Sequence, residues 1–455
     1  MEFAAVPYKS LQEGSNIIKP NFHLNYGKSR ISNSKRNGAS FKTLGELTNQ
    51  IYTGGIFKRM FVESEKFGLP YISATHMMNT SPLEVSKLIS LKHTPRQEDM
   101  TLKDNQILVS CAGTIGNVRL ITKDLEGIIG SQDIIRIISD DNKALFGFIY
   151  AYLSSPTAYN FMQSYIYGSV VPRIDPKTLS SLPVIEMPKE KQAYVHNLIL
   201  KASSLRVNAN KLLIEAISIF ENELPKIESK LIYTSKISQR LSHTSRLEAT
   251  YNANLIDSFK NKAIENGAEL KTISSLSELV FTPGIFKRIR ANNKDVGIPY
   301  LSGSELLNQM PVFDSFLSKK MKNIDDYILK EGWLVIQDAG TIGYLSLITK
   351  FLDGVSATNN LVRIKPKKDN YNYYIYCFFK TKIGQRLLKN LEYGSVQKHI
   401  DHHQISSFEI PIYHSIFENI SENIKLMLEK TSDACFLEQE AIDLIEKEIE
   451  SWQKS

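Results

Sequence analysis

The stretch Gly55-Ile56-Phe57-Lys58-Arg59 occurs a second time, letter for letter, as Gly284-Ile285-Phe286-Lys287-Arg288, 229 residues later. Five further blocks recur in the same order, while the offset drifts only from 229 to 226 residues. These blocks are residues 41–44 with 270–273, 70–71 with 299–300, 112–116 with 339–343, 167–170 with 393–396, and 174–175 with 400–401. The small drift is typical of insertions in loops. The chain is therefore two copies of one module.

Each copy combines two kinds of pattern. β-Branched runs bounded by Gly, Asp and Ser predict strands at 106–110 and 133–138, and again at 333–336 and 360–364. Helical patterns follow at 144–162 and at 373–391. The sequence thus predicts the α+β class for both copies.

A long amphipathic helix is predicted after each copy. Leucine or isoleucine alternates with alanine in three- and four-residue steps, which is the pattern of a coiled-coil seam. The predicted pairing residues are Leu198, Ala202, Leu205, Ala209 and Leu212 in the first helix and Ile424, Leu428, Ile442 and Ile445 in the second. Thr431 and Glu438 interrupt the second seam, so they specify the pairing or mark a partly exposed helix. We expect the two helices to form an antiparallel coiled coil.

This pattern divides the chain into residues 1–188, 189–225, 226–414 and 415–455, as module, helix, module and helix. A helix of about 35 residues spans about 52 Å. Two such helices, paired antiparallel, hold the modules apart at a fixed distance. A protein that touches two DNA segments at a set helical phase needs such a spacer.

Composition excludes several classes of protein. The 455 residues carry 55 Lys and Arg against 48 Asp and Glu, and this net charge of +7 permits a polyanionic partner without requiring one. Three scattered cysteines argue against disulfides and cysteine zinc sites. No secretory signal or membrane-spanning run is recognisable, so a cytoplasmic location is expected.

The repeated blocks resemble those of specificity subunits of type I restriction-modification systems. The resemblance rests on residues 106–116, 130–133 and 167–175, and on 182–184 running to Pro188 and Gln192. It implies two target-recognition domains, each reading half of a bipartite site in double-stranded DNA, with the paired helices as a spacer. It also implies methyltransferase subunits as partners, which supply S-adenosylmethionine, and allows a restriction/translocase subunit. The second copy departs from the pattern because it lacks matches to Pro188 and Gln192.

Candidate DNA-binding residues lie in the repeated blocks. Lys-Arg pairs suit phosphate contacts, but a solvated charged loop is the alternative. The Ala-Gly-Thr-Ile-Gly blocks are read as turns between strands, whose threonines could face DNA. The Tyr-Gly-Ser turns could contact phosphate or pack on the module core. The candidates are Lys58, Arg59, Thr114, Tyr167, Ser169, Arg173, Lys287, Arg288, Thr341, Tyr393, Ser395 and His399. Base-reading residues are expected in the stretches that differ most, about 63–97 and 290–326.

The histidines at 399, 402 and 403 suggest a metal site, with Asp401 as a further ligand. Their counterparts in the first copy are Arg173, Pro176 and Lys177, which are not useful zinc ligands, and no cysteine is nearby. No metal and no cofactor are therefore expected on this chain.

Catalysis by the chain alone is not expected. No Asn/Asp-Pro-Pro-aromatic motif, glycine-rich cofactor loop or repeated carboxylate cluster is present. Two alternatives stay open: a specificity subunit of a type II system that cuts on both sides of its site, and an adaptor that binds no DNA.

Overall fold

The computed structural model describes residues 20–167, 172–227, 255–285, 287–340, 342–394 and 398–453. It divides into two compact units, each with its own core. The first comprises Met1–Val207 and Ala434–Ser455, and the second comprises Asn208–Asp433. Both units combine sheets with helices, which confirms the α+β prediction. The four-segment division at 188, 225 and 414 remains a prediction.

The described residues of the first copy form ten strands and six short helices before the first long helix. The strands are β1 (Phe41–Thr43), β2 (Thr48–Thr53), β3 (Phe61–Val62), β4 (Gly68–Ile72), β5 (Lys87–Ser90), β6 (Ile107–Ser110), β7 (Val118–Leu120), β8 (Ile129–Gly130), β9 (Ile134–Ser139) and β10 (Pro183–Ile185). The helices are α1 (Pro20–His23), α2 (Tyr26–Arg36), α3 (Gln97–Met100), α4 (Phe146–Leu153), α5 (Pro156–Ser164), α6 (Pro176–Ser180) and the long α7 (Lys189–Glu223).

The second copy repeats this arrangement. Its strands are β11 (Glu269–Thr272), β12 (Ser277–Phe281), β13 (Arg290–Ala291), β14 (Gly297–Leu301), β15 (Phe316–Ser318), β16 (Leu334–Gln337), β17 (Leu345–Leu347), β18 (Ser356–Ala357), β19 (Leu361–Pro366) and β20 (Glu409–Ile412). Its helices are α8 (Leu255–Glu265), α9 (Ile273–Leu276), α10 (Asp369–Lys380), α11 (Lys382–Asn390), α12 (His402–Ser407) and the long α13 (His414–Ser451).

Both copies have the same sheet topology. One four-stranded sheet has the order β2-β9-β6-β7 in the first copy and β12-β19-β16-β17 in the second. The other sheet has the order β3-β5-β4-β8 and, correspondingly, β13-β15-β14-β18. Its last strand is parallel to its neighbour in each copy. A pair of antiparallel strands, β1 with β10 and β11 with β20, joins the start and the end of each copy.

In the sheet β2-β9-β6-β7 all neighbouring strands are antiparallel, and we call it and its counterpart the antiparallel sheet. This sheet lies in the core because its middle strands are apolar on both faces. In β9 the residues Ile134, Ile135, Arg136 and Ile137 are all buried, and Ile107 pairs with Ile137 across the sheet. Such two-sided burial suits runs of β-branched residues. In the second copy Leu334 pairs with Ile364 in the same way. Helices α4 and α5, and α10 and α11, cover this sheet and complete the core of each unit.

The segments predicted to be helical at 144–162 and 373–391 are helical, and each consists of two consecutive helices. Ser155 caps α5 by accepting a hydrogen bond from the Ala158 N–H, and Pro156 is the first residue of that helix. Thr381 caps α11 through the Gly384 N–H in the second copy. Both residues are strong helix-start signals, and each ends the preceding helix.

The repeat begins before the first block matched in the sequence. Helix α2 is followed by Asn37-Gly38-Ala39, and α8 by Asn266-Gly267-Ala268, at the same 229-residue offset. Gly38 and Gly267 both have positive φ, 96° and 84°. A glycine in this conformation commonly ends a helix. Each copy therefore starts with a helix that the sequence comparison missed.

The long helices pack against each other within each unit. In the first unit, Lys191 on α7 pairs with Glu448 and Arg206 pairs with Glu438, so the two segments run antiparallel. In the second unit, buried residues of α7 such as Phe220 share a core with buried residues of α13 such as Ile424. The prediction of two paired long helices is confirmed. Among the described residues, no helix is long and apolar enough to cross a membrane.

Candidate nucleic-acid interface

Three predicted blocks of the first copy meet at one surface. Tyr167 and Arg173 exchange two backbone hydrogen bonds, of 3.0 and 2.8 Å between N and O. Arg173 also forms a β-bridge with Ala112, and Ile174 N–H donates to the Cys111 carbonyl at 3.1 Å. The exposed side chains of Thr114, Tyr167 and Arg173, which we call the first hairpin cluster, thus belong to one local structure.

The second copy builds the same arrangement. Tyr393 and His399 exchange backbone hydrogen bonds of 3.0 and 2.8 Å, and Ile400 N–H donates to the Asp338 carbonyl at 3.0 Å. The rings of Tyr393 and His399 lie 6.2 Å apart between centroids. We call Tyr393 and His399 the second hairpin cluster. The candidates Ser169, Thr341 and Ser395 lie outside the described residues.

Glycines shape the loop that faces each hairpin cluster. Gly113 and Gly116 lie between β6 and β7 with φ of 75° and 87°, and Gly340 and Gly343 lie between β16 and β17 with φ of 78° and 82°. Positive φ is costly for residues with a Cβ, so the sequence needs glycine at these positions. The Ala-Gly-Thr-Ile-Gly blocks are turns between strands, and Thr114 is exposed on the first of them.

The two clusters differ in charge. Arg173 Nη2 lies 3.8 Å from Asp133 Oδ1 in the first copy, whereas His399 and the exposed Asn360 occupy these places in the second. Asp338 stands where the first copy has Cys111. Burial raises the pKa of the Asp338 carboxyl to about 6, although nearby His399 opposes the shift. The two surfaces therefore present different groups on one scaffold.

The Lys-Arg pairs lie in a separate loop of each copy. Residues 54–60 connect β2 to β3, and residues 282–289 connect β12 to β13; we call these the cation loops. Lys58, Arg59, Lys287 and Arg288 are all exposed. Among the described residues, no hydrogen bond or ion pair joins a cation loop to the hairpin cluster of its own copy. The Arg288 guanidinium lies 5.4 Å from the centre of the Tyr300 ring.

The stretches predicted to read bases form most of the second sheet of each copy. Residues 63–97 contain β4 and β5, and residues 290–326 contain β13, β14 and β15. The parallel strand that completes each of these sheets, β8 or β18, lies outside the divergent stretch. Sequence variation is thus concentrated in one sheet and its loops, while the antiparallel sheet is shared.

Each copy contains a buried arginine whose structural role the sequence did not reveal. Arg136 on β9 is fully buried and donates to the backbone carbonyls of Met100, Gly130, Ser131 and Ile134. Arg363, its counterpart, donates to the carbonyls of residues 357, 358 and 361. Burial lowers the pKa of Arg363 to about 10. Each guanidinium ties the parallel strand to the antiparallel sheet.

The histidine pair of the second copy brings possible ligand atoms together. One ligand atom from each of Asp401, His402 and His403 lies within 4.8 Å of the others. The Asp401 carboxylate, however, accepts the His403 N–H at 2.6 Å and caps α12. Asp175 caps α6 in the same way, through the Thr178 N–H at 2.8 Å. The aspartate thus has the same structural role in both copies, and the absence of a metal stays a prediction.

The predicted pairing residues of the helices differ in burial. Those that are buried are Leu198, Ala202, Ala209, Ile424, Leu428, Ile442 and Ile445. Leu205 and Leu212 are only half-buried, and beside Leu212 it is Leu213 that is buried. A helix that packs on both a partner helix and its own module buries a stripe wider than a coiled-coil seam. This explains why the buried position moves from Leu212 to Leu213.

Glu438, the polar residue in the second seam, has specific partners in the first unit. Its carboxylate accepts hydrogen bonds from Arg206 Nη1 and from the Tyr150 hydroxyl. Burial lowers the pKa of the Arg206 guanidinium, but the nearby Glu438 carboxylate outweighs this effect, and the pKa lies above its usual value. Thr431 instead donates to the Met427 carbonyl of its own helix, at 2.8 Å. Glu438 therefore links both helices to the module, and Thr431 does not.

The comparison with protein-family models agrees with the duplication. The family model for the type I restriction-modification DNA specificity domain matches twice, at residues 37–199 and 266–415. A search of curated proteins finds no match.

Three solved structures are similar to this chain. One is the S subunit of a type I restriction-modification system from M. genitalium, at 15% identity over 91% of this chain and 94% of that one, with a TM-score of 0.30. Another is the HsdS subunit from Thermoanaerobacter tengcongensis, at 12% identity over 92% and 97%, with a TM-score of 0.29. A third, from a study of assembly of the type I R-M system, has 12% identity over 91% and 96% and a TM-score of 0.30.

Proposed function

We propose that this chain, which belongs to the type I restriction-modification DNA specificity family, directs methyltransferase and restriction subunits to a bipartite DNA site. Each copy of the module reads one half of the site, and the paired helices α7 and α13 set the distance between the halves. The chain contributes recognition, while S-adenosylmethionine and the methyl transfer belong to the methyltransferase partner.

The observation that carries the proposal is the duplication of one scaffold with different surface groups. Both copies have the same sheet order and the same exchanged hydrogen bonds at the hairpin cluster. Yet one cluster presents Arg173 beside Asp133, and the other presents His399. Two like scaffolds with unlike contact groups suit a DNA site whose halves differ in sequence, because side chains at base edges decide which sequence is read.

The exposed cations support binding to the phosphate backbone. Lys58, Arg59 and Lys287 form no ion pair with the described residues, so phosphates can take that place without breaking a protein contact. Phosphate contacts fix position on the duplex, and contacts in the grooves supply specificity. The divergent sheets are the part of each copy that we assign to the grooves.

Binding of the purified chain, assembled with its methyltransferase partner, to a series of duplexes tests this proposal. The series scrambles one half-site, scrambles the other, or lengthens the spacer by one base pair. We expect each change to weaken binding by at least about 10-fold, because one wrong base pair typically costs 1–3 kcal/mol. Equal binding to all duplexes would contradict sequence-specific reading, and no binding to any duplex, even at low salt, would favour the adaptor that binds no DNA.

A further inference from the structure

An exposed isoleucine stands at the same place in the cation loop of each copy. Ile56 is 85% exposed and Ile285 is 94% exposed, more than any other large apolar residue among those described. A single exposed apolar side chain on a protein surface is ordinary. The same exposure in both copies, within a block that recurs letter for letter, indicates a shared requirement for this side chain.

The loop of the first copy is held in place by the next residue. Phe57 packs against the cluster formed by Tyr71, Ile89, Met100 and Ile129. Gly54 is also constrained, because a Cβ there would come within 1.8 Å of Met100 Sδ. Gly54 and Phe57, which lie on either side of Ile56 in the loop, are thus held against the core, and Ile56 itself is exposed. Its exposure therefore follows from the way in which the loop is anchored.

Two exposed cations follow the isoleucine after one intervening phenylalanine in each copy. In the first copy Lys58 and Arg59 are exposed and make no ion pair or hydrogen bond with the described residues. In the second copy Lys287 is likewise exposed and free, and the Arg288 guanidinium lies 5.4 Å from the centre of the Tyr300 ring. An apolar tip beside exposed cations matches the chemistry of duplex DNA, in which the thymine methyl group lies in the major groove between phosphate backbones.

We propose that Ile56 and Ile285 make apolar contacts with bases of the two half-sites, while the adjoining Lys-Arg pairs bind neighbouring phosphates. This inference rests on the proposed DNA-reading function and names residues within it. Each isoleucine then adds the same apolar base contact in both half-sites, beside the differing contacts of the divergent sheets, and each cation pair positions the loop on the phosphates. The apolar contact depends on which base is present, whereas the phosphate contact does not.

The test compares variants of the full chain in complex with its methyltransferase partner. The single variants are Ile56→Ala and Ile285→Ala, and the double cation variant is Lys58→Ala plus Arg59→Ala. The matched control is Ile214→Ala on helix α7, because Ile214 is also well exposed. For each, the dissociation constants on the cognate and on a scrambled duplex are measured from 50 to 200 mM salt, an interval chosen because it spans a steep salt dependence.

We expect each loop isoleucine variant to lose about 10-fold in affinity for the cognate duplex, the cost of one wrong base pair. Its affinity for the scrambled duplex and its salt slope should be unchanged. The double cation variant should weaken binding to both duplexes and reduce the salt slope by about 1.8, which corresponds to two phosphates. Ile214→Ala should match the unaltered chain.

Two results would overturn the inference while leaving the proposed function intact: unchanged cognate affinity in both isoleucine variants, or equal losses on cognate and scrambled duplexes. If the unaltered chain itself does not distinguish the duplexes, the proposed function fails and the inference fails with it. Loss of methyltransferase capture by the isoleucine variants would instead identify the loop as a protein-binding surface, and would also refute the base contact.

Discussion

Replacing Glu438 with leucine should destabilise the first unit strongly. Arg206 is 11% exposed and Glu438 1% exposed, so the variant leaves a guanidinium buried without its counterion. Removing one member of a buried ion pair typically costs 3–5 kcal/mol. The Tyr150 hydroxyl loses its acceptor in the same step. For a unit of this size we expect the melting temperature to fall by roughly 6–20 °C.

The assay is thermal unfolding of the full chain, with hydrogen exchange of the helix amides to identify which unit melts. The double variant Arg206→Leu plus Glu438→Leu is the decisive comparison, since removal of both charges should recover most of the loss. Lys191→Ala is the control, because its pair with Glu448 is exposed on the lysine side and should be worth less than about 1 kcal/mol. Equal destabilisation by the single and the double variant would refute the role assigned to the isolated charge.

Three further expectations follow from the described contacts. Arg136→Met should lower the free energy of unfolding of the first unit by about 3 kcal/mol or more, because several buried carbonyls lose their hydrogen-bond donor. Unfolding in urea measures this loss, and a change below about 1 kcal/mol would contradict the expectation. The raised pKa of Asp338 means that the folded chain holds this proton more tightly than the unfolded chain, so stability falls as the pH rises from about 4 to 6. Asp338→Asn should therefore raise stability at pH 7.5, by up to about 1 kcal/mol after solvent screening, and change it little at pH 4; melting curves at both pH values decide, and an equal shift at both would contradict the assignment. The Asp401, His402 and His403 cluster should hold no stoichiometric zinc after purification without chelators, and metal analysis that finds one zinc per chain would show the opposite.

The parts of the fold that could be predicted from the sequence are those with local or repeated signals. The recurrence of short sequence blocks revealed the two copies, and the heptad spacing of apolar residues revealed the long helices. Asn37-Gly38-Ala39 and Asn266-Gly267-Ala268 carried the signal for the missed initial helices, as a repeated helix-ending glycine. Ser155 and Thr381 carried the signal for the helix breaks.

Other features depend on contacts between distant residues, which no local pattern encodes. The order of strands in the sheets pairs β2 with β9 and β4 with β8, far apart in sequence. Arg136 looks like an ordinary polar residue in a strand, and only the fold encloses it among carbonyls. Glu438 was recognised as an interruption of the seam, but its partner Tyr150 lies 288 residues earlier.

The candidate site was predictable in position and not in detail. The repeat placed Tyr167, Arg173, Tyr393 and His399 in equivalent blocks, and the structure brings each pair together by backbone hydrogen bonds. The exposure of Ile56 and Ile285 could not be read from the sequence, because an isoleucine beside a phenylalanine predicts burial for both. The orientation of Ile56 follows from the anchoring of its loop on the core.

We propose above that this chain chooses the DNA sequence that its partners modify. Sequencing of methylated bases in cells with and without the chain tests this proposal. We expect the loss of one methylated motif made of two half-sites separated by a spacer of fixed length, with all other methylation unchanged. An identical set of methylated motifs in both kinds of cell would contradict the claim.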